Sequence, residues 1–492
     1  MKNLNSLNSL ILKMTREELK SANKFFDYYS ESKSKTKSSD LVKLLVEKKE
    51  FNARDIQFKL YGKQNLFAFN KLINRTKEKL LEVALFDSNI SKNYYTHRVK
   101  VNFELKKKLI QCDILNMKGL RDDCDLMCKK IISKAEKYEL YDIVTNALII
   151  RRRFINIRKK NIELKKLING IESAEFKNKT ISSAQIIYDD IINKISNTAN
   201  SEKYYQELKK SINSLDEMHK IFNSNIIGYN LNFLKTQLYQ IDENYEDANK
   251  CLSNMILFLK NKCMYSEYRL GATLLNIANN NIYLNKMDYY LINPDKLKKY
   301  FSNNIINQSL VDELVFYYLF YNNNYTDAEI VIKRLVNMPI ANNIASIMKK
   351  WPYLFAALKF RMGEFIKCKE MLNNLDEFGR ENQGWNINMR LLIIMTNIEL
   401  NQYEICDQLI INLEKYIKRS QKNNVIEKRY IIISRILIKL VNSSYKFISV
   451  FNTRKKYFDL LQSDDVNFKW KIKSPELIDF NNWYLQRMLK EK

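Results

Sequence analysis

The sequence predicts an all-α protein assembled by repeating helical hairpins, and three observations carry the prediction. Gly and Pro number 8 and 4 in 492 residues, several-fold fewer than average usage of about 7% and 5% would give, so strained loops are scarce. Runs of Leu, Ile, Lys, Glu and Asn keep a period near 3.6, while the alternation expected of half-buried strands is rare. A set of residue types also returns together at fixed spacing in the second half of the chain. A chain of this length exceeds the usual domain of about 100–200 residues, unless repetition extends its core.

Residues 1–90 read as an N-terminal helical module. Asn52 suits the N-cap of a short helix through Leu60, Gly62 a turn, and Asn65 to Leu85 a longer helix bearing Lys71, Arg75, Lys77 and Lys79. A helix-turn-helix of this form can enter a major groove. Bundled helices with a solvated basic face are the commoner use of such a pattern.

Residues 91–224 read as basic, irregular helical hairpins. They contain "RRRFINIRKK" from Arg151, six cations in ten residues. On one continuous helix over 148–168, Ile150, Phe154, Ile157, Leu164 and Ile168 form one apolar stripe, and Leu148, Ile155 and Ile162 a second about 140° away. Two stripes predict a helix packed between neighbours. Arg151, Arg158 and Lys165, with Arg152, Lys159 and Lys166, then form solvated ladders whose stems cover apolar neighbours. On this reading Asp at Ile155 or Ile162 unfolds the N-terminal half. Cys112, Cys124 and Cys128, with His97 upstream, are zinc ligands of acceptable chemistry. The tight CxxC turn is absent, however, and cysteine is a common small core residue, so packing is the preferred reading. The acidic run "RDDCD" at 121–125 reads as a solvated helix start.

Residues 225–420 carry the repeat. Aromatic anchors stand at Tyr245, Tyr325, Phe365 and Tyr403, 80, 40 and 38 residues apart. Three residues on come Ala248, Ala328, Cys368 and Cys406; seven on, Leu252, Ile332, Leu372 and Ile410; ten on, Met255, Leu335, Leu375 and Leu413. Eleven before each anchor is Leu234, Leu314, Leu354 or Leu392. A single amphipathic helix explains the apolar spacing. It does not explain why the aromatic, the small residue and the upstream leucine return together. The small residue lets two helices approach, and Asn323, Gly363 and Asn401, two before their anchors, suit a helix-ending turn. A degenerate unit is expected near residue 285. Upstream, Tyr205, Leu208, Ile212 and Leu215, and Leu164, Leu167, Ile171 and Ala174, keep the spacing without the small residue.

This pattern resembles the tetratricopeptide-repeat (TPR) family, whose second helix carries an aromatic, a small residue at +3 and a large apolar one at +7. The period here is about 38–40 against the family's 34, and the family's small first-helix residue is missing. The chain is TPR-like in this sense, and its N-terminal stretch "MTREELKSANKFF" is similar to the opening module of bacterial TPR-like proteins. The resemblance implies a right-handed superhelical α-solenoid whose stacked hairpins bind a peptide or protein segment. In the last part, residues 421–492, "SPEL" offers Ser474 as N-cap and Pro475 as the first helical residue of a C-terminal capping helix that buries Trp483.

Signatures of catalysis are missing from the sequence. The eight glycines never cluster into a phosphate-cradling loop, and neither His97 nor His219 lies in an HExxH spacing. No GxSxG elbow offers a serine. The expectation is therefore a non-enzymatic scaffold with no cofactor and no bound metal. The formal net charge of +27 is uneven: residues 1–200 hold 41 Lys and Arg against 24 Asp and Glu, residues 201–400 hold 23 against 21, and residues 401–492 hold 18 against 10. Nucleic-acid binding by the basic N-terminal region, with the solenoid as sensor, is the alternative. Lys71, Arg75, Lys77, Lys79, Arg151, Arg152, Arg158 and Lys159 are the candidate contacts for nucleic acid or an acidic partner. The N-terminus lacks a signal-peptide core, and seven cysteines at irregular spacing suggest reduced thiols, so a cytoplasmic location without a membrane span is expected. Oligomeric state has no signature.

Overall fold

In the computed structural model the described residues are 2–28, 36–47, 52–86, 96–157, 161–198, 202–286, 293–301, 304–338, 350–379, 383–421 and 427–491. Among them every regular element is a helix. The chain divides into two compact units, Met1–Ala135 and Glu136–Lys492, a division that falls inside the 91–224 segment.

In the first unit, α1 (Lys2–Lys13), α2 (Arg16–Tyr28), α3 (Lys37–Glu47), α4 (Ala53–Tyr61) and α5 (Leu66–Phe86) enclose a core that includes Leu7, Phe26, Leu41, Phe69 and Leu80. The expected punctuation is present. Asn52 accepts from the Arg54 amide at 3.0 Å, Gly62 ends α4 at φ +69°, and Asn65 accepts from the Ala68 amide at 3.0 Å. The helices α6 (His97–Met117) and α7 (Arg121–Lys137) follow, α7 crossing into the second unit by its last two residues.

The second unit continues with α8 (Tyr141–Ile157), α9 (Asn161–Thr198), α10 (Glu202–Ile221), α11 (Asn225–Ile241), α12 (Tyr245–Lys260), α13 (Glu267–Tyr283), α14 (Pro294–Lys299), α15 (Ile305–Tyr321) and α16 (Tyr325–Val336). Then come α17 (Lys350–Arg361), α18 (Phe365–Asn373), α19 (Gln383–Glu399), α20 (Tyr403–Gln421), α21 (Lys428–Asn442), α22 (Phe447–Thr453), α23 (Lys455–Gln462) and α24 (Phe480–Leu489). Helices adjacent in sequence pack on one another.

Each anchor is the first residue of a helix: Tyr245 of α12, Tyr325 of α16, Phe365 of α18 and Tyr403 of α20. The small residues Ala248, Ala328, Cys368 and Cys406 are fully buried, as are the upstream leucines 234, 314, 354 and 392. The turn before each anchor has one geometry. Glu243, Asn323, Gly363 and Asn401 are left-handed, at φ +56°, +59°, +77° and +56°. The next amide reaches back five residues to close the first helix: Asn244 to Tyr239 at 2.8 Å, Asn324 to Leu319 at 2.9 Å, Glu364 to Lys359 at 3.0 Å and Gln402 to Asn397 at 2.9 Å. This is the Schellman closure, which glycine and asparagine favour because left-handed backbone crowds most side chains. Where the turn residue is Asn, its side chain accepts from the anchor hydroxyl, Tyr325 to Asn323 at 2.7 Å and Tyr403 to Asn401 at 2.9 Å. Where it is Gly363, the anchor is Phe365, which has no hydroxyl to satisfy.

The same turn occurs at Asn285, φ +55° with Lys286 bonded to the Asn281 carbonyl at 2.8 Å, where the degenerate unit was expected. It occurs before α7 at Gly119, φ +79° with Leu120 bonded to Leu115 at 2.9 Å, and, lengthened by one left-handed residue, at Ser444 and Tyr445 before α22.

The basic stretch is not one helix. Arg151 and Glu163 form an ion pair at 3.7 Å, although twelve residues along a single helix they would be about 18 Å apart. A Cβ on Gly170 would lie 3.5 Å from Leu148. The chain therefore reverses between α8 and α9, and each helix has its own buried face: Val144, Ala147, Leu148 and Ile150 on α8, and Leu167, Ile171 and Ala174 on α9. The two stripes came from reading across the reversal. Ile162, assigned to the second, is 79% exposed, and Ile168 is 39% exposed. The side chains of Phe154, Ile155 and Ile157, and the residues Arg158 and Lys159, lie outside the described residues.

The hairpin makes a testable distinction. Leu148→Asp is expected to destabilise the second unit by more than about 4 kcal/mol by placing an unpaired charge in the core. Ile162→Asp is expected to stay within about 0.5 kcal/mol of the parent, both measured by chemical denaturation followed by circular dichroism.

Candidate functional site

The first helices of the hairpins are buried almost all round. Eleven of the 17 residues of α15 are buried, including Asp312 and Glu313, an arrangement expected of a helix covered on every side. Part of that cover is the chain's own C-terminal segment, 463–479, a non-helical strap.

The strap meets successive hairpins in order. Lys471 pairs with Glu243 in the turn between α11 and α12. The ammonium of Lys473 donates to Asn279 of α13 and lies 5.5 Å and 5.0 Å from the ring centres of Tyr283 and Tyr317. Its backbone amide donates to the Tyr321 hydroxyl of α15 at 2.8 Å. The Tyr353 hydroxyl of α17 donates to the Pro475 carbonyl at 2.8 Å, and the Pro475 ring lies 3.6 Å from where Gly384 of α19 would carry a Cβ. Leu477 and Ile478 are buried against Leu391 and Met395 of α19. Trp470 folds back on the strap, donating from its indole to the Glu476 carbonyl at 2.7 Å.

Glu476 is the anchor. Arg429 of α21 holds its carboxylate with two bonds of 2.7 Å, and the Phe480 amide donates to it at 2.9 Å. The same guanidinium donates to Asp479 at 2.8 Å and to the Phe468 carbonyl at 2.7 Å. Both Arg429 and Glu476 are only 2% exposed, and the two-pronged geometry is the strongest form of this pair.

These contacts explain why the strap is not helical. Ser474 and Pro475 have the local appearance of a helix start, but α24 begins at Phe480 with Asp479 as its cap, accepting from the Asn481 amide at 3.2 Å. Drawing Glu476 onto Arg429 while Pro475 bonds Tyr353 holds this stretch out of a helix, with a turn at Lys473, φ +60°, closed by the Ser474 amide on the Lys471 carbonyl at 3.2 Å. The expected burial of Trp483 is present, its indole donating to Glu399 at 2.9 Å.

Lys473 has an unusual environment for a cation. Burial pulls its ammonium down to about 8, aided by Lys350 and opposed by Glu313. Burial also pushes the hydroxyls of Tyr317 and Tyr321 up, so both remain neutral phenols.

The residues singled out in the sequence are dispersed. Lys71 and Arg75 are exposed on α5, whereas Lys77 donates to Ser6 at 2.9 Å and Lys79 lies 5.9 Å from the Phe26 ring centre. Arg151 is tied to Glu163, and Arg152 is exposed. Cys112, Cys124 and Cys128 are brought together, fully buried, with their sulfurs within 4.8 Å of one another. His97 begins α6, fifteen residues and about 22 Å along the helix from Cys112, so it does not join them. The thiol of Cys128 donates to the sulfur of Cys112 at 3.7 Å, which pulls Cys112 below the usual thiol range, and burial pushes Cys124 up to about 11. Sequence reasoning missed the strap because its contacts with the earlier helices and turns cross scores of residues. Only the closely spaced Lys471, Lys473 and Glu476 beside Pro475 hinted at an exception.

No protein-family model matches the chain, and no curated protein matches it. Among the described residues no helix is long and apolar enough to cross a membrane.

The anchor yields a prediction with two arms. Arg429→Met leaves Glu476 buried and unpaired, and is expected to cost about 3–5 kcal/mol; adding Glu476→Leu is expected to recover most of that loss. Denaturant unfolding followed by intrinsic tryptophan fluorescence measures both.

Proposed function

We propose that this chain is a non-enzymatic interaction scaffold that binds a peptide or protein segment along the first helices of its hairpins. The observation that carries this reading is the strap, an irregular, non-helical segment already held there by side chains donating to and accepting from its backbone. Backbone bonds supply affinity for any extended chain, and side-chain pockets supply selectivity. The pockets are an aromatic recess for a cation, made by Tyr283 and Tyr317, and a guanidinium for a carboxylate, Arg429.

The same contacts support a curved, TPR-like stack, for which the family resemblance implies a right-handed superhelix. Residues 471 to 476 span at most about 18 Å when extended, yet they reach helices or turns of hairpins from α11 to α21. Hairpins this close at their first helices suit a curved stack whose inner face those helices line. A partner segment presenting Lys-x-Pro-Glu, the order of Lys473 to Glu476, matches the recess and the guanidinium at once.

A second reading, nucleic-acid binding by the N-terminal unit, has in its favour Lys71 and Arg75 exposed one turn apart on α5. Its signature would be affinity that falls steeply with salt.

The scaffold reading is tested with a labelled peptide of residues 471–478 and the full-length chain, in its parent form and with Lys473→Ser and Glu476→Ser together. The variant is expected to bind the peptide at least about tenfold more tightly than the parent, whose own strap competes, as measured by fluorescence anisotropy. A folded variant that binds no peptide contradicts the proposal.

A further inference from the structure

We propose that Cys112, Cys124 and Cys128 form a site for a thiophilic metal ion held by three sulfur donors. The site belongs to the hairpin of α6 and α7, and does not depend on the strap.

The geometry is that of a ligand set. With a metal–sulfur distance of about 2.3 Å, neighbouring sulfurs lie about 3.8 Å apart around a tetrahedron and about 4.0 Å apart around a flat triangle. The Cys112 and Cys128 sulfurs are 3.7 Å apart, and all three lie within 4.8 Å of one another. Two donors come from one face of α7, four residues apart, and the third from α6 across the turn at Gly119. Such a pair on one helix presents two ligand atoms in the same direction. All seven cysteines are free thiols.

Packing accounts for one of the three cysteines. Aligned on the left-handed turn residue, with Gly119 in the place of Asn323, Cys124 falls at the small +3 position occupied elsewhere by Ala248, Ala328, Cys368 and Cys406. Cys128 falls at +7, where the other hairpins carry Leu252, Ile332, Leu372 and Ile410. A large aliphatic side chain has there been exchanged for a smaller thiol, directed at two other thiols. The exchange gives up apolar contact in a packed core, a loss that metal–sulfur bonds would offset.

The donors are soft, which selects ions such as monovalent copper, cadmium or zinc over magnesium or calcium. His97 is too far away to ligate and Asp113 points to solvent, so among the described residues the set stops at three sulfurs. Binding breaks the three S–H bonds and forms three metal–sulfur bonds. Up to three protons pass to solvent, and no electron is transferred.

Cadmium is the probe. Titrating the reduced full-length chain with Cd²⁺ is expected to give a thiolate-to-metal charge-transfer band that saturates at one ion per chain, with release of two to three protons. The band is expected to vanish in Cys124→Ala and to persist in Cys251→Ser. Cys124→Ala tests the site without breaking the hairpin, since alanine fills the same position at Ala248 and Ala328; an unchanged circular dichroism melt of the ion-free variant verifies this. A parent chain without the band, or a band of undiminished intensity in Cys124→Ala, overturns the proposal.

Discussion

The repeat hairpins of the second unit rest on a turn. A left-handed residue two places before each second helix lets the following amide close the first helix, and this fixes the angle at which the second returns. Only then does a small residue at +3 face the neighbouring helix at close range. Cys406 approaches the Ile394 carbonyl of its own hairpin, while Cys368 meets the Thr396 hydroxyl of the next. One position thus serves both the pairing within a hairpin and the stacking between hairpins. Buried polar links then lock neighbours together: Lys359 of α17 reaches Glu329 of α16 at 2.9 Å and Glu364 at 2.8 Å.

Much of this was legible because the turn and the small residue leave local marks. Asn or Gly stands at three of the four repeat turns, and the anchor hydroxyl follows the Asn. The exceptions are informative. Glu243 adopts the same left-handed backbone at φ +56°, and so does Glu139 before α8 at φ +52°. Both carboxylates are engaged at long range, Glu243 with Lys471 and Glu139 with Ser224 and the Asn225 amide. Tertiary contacts there override a local preference that no window of sequence could display.

The misreadings share a cause. The helix across 148–168 and the helix start at Ser474 were both sound by local rules, and both failed where distant partners intervened: α9 folding back on α8, and Arg429 holding Glu476. The sequence grouped Cys112, Cys124 and Cys128 with His97 and preferred core packing; the three cysteines do meet, but spacing could not reveal that α6 carries His97 away from them. Local periodicity specifies helices well; it says little about where a chain turns back, or about which non-helical segment lies across helices formed much earlier in the chain.

On the proposed scaffold reading the strap gives the molecule its functional logic, since the face proposed to hold a partner segment is covered by the chain's own segment 463–479. Native-state hydrogen exchange tests that claim most directly. The amides of Lys473, Ser474 and Leu477 all have acceptors, the Tyr321 hydroxyl and the carbonyls of Lys471 and Pro475. Docking against the first helices predicts that these amides exchange orders of magnitude more slowly than an unstructured chain. Exchange of 471–478 at unstructured rates, with α15 and α19 still protected, would contradict it.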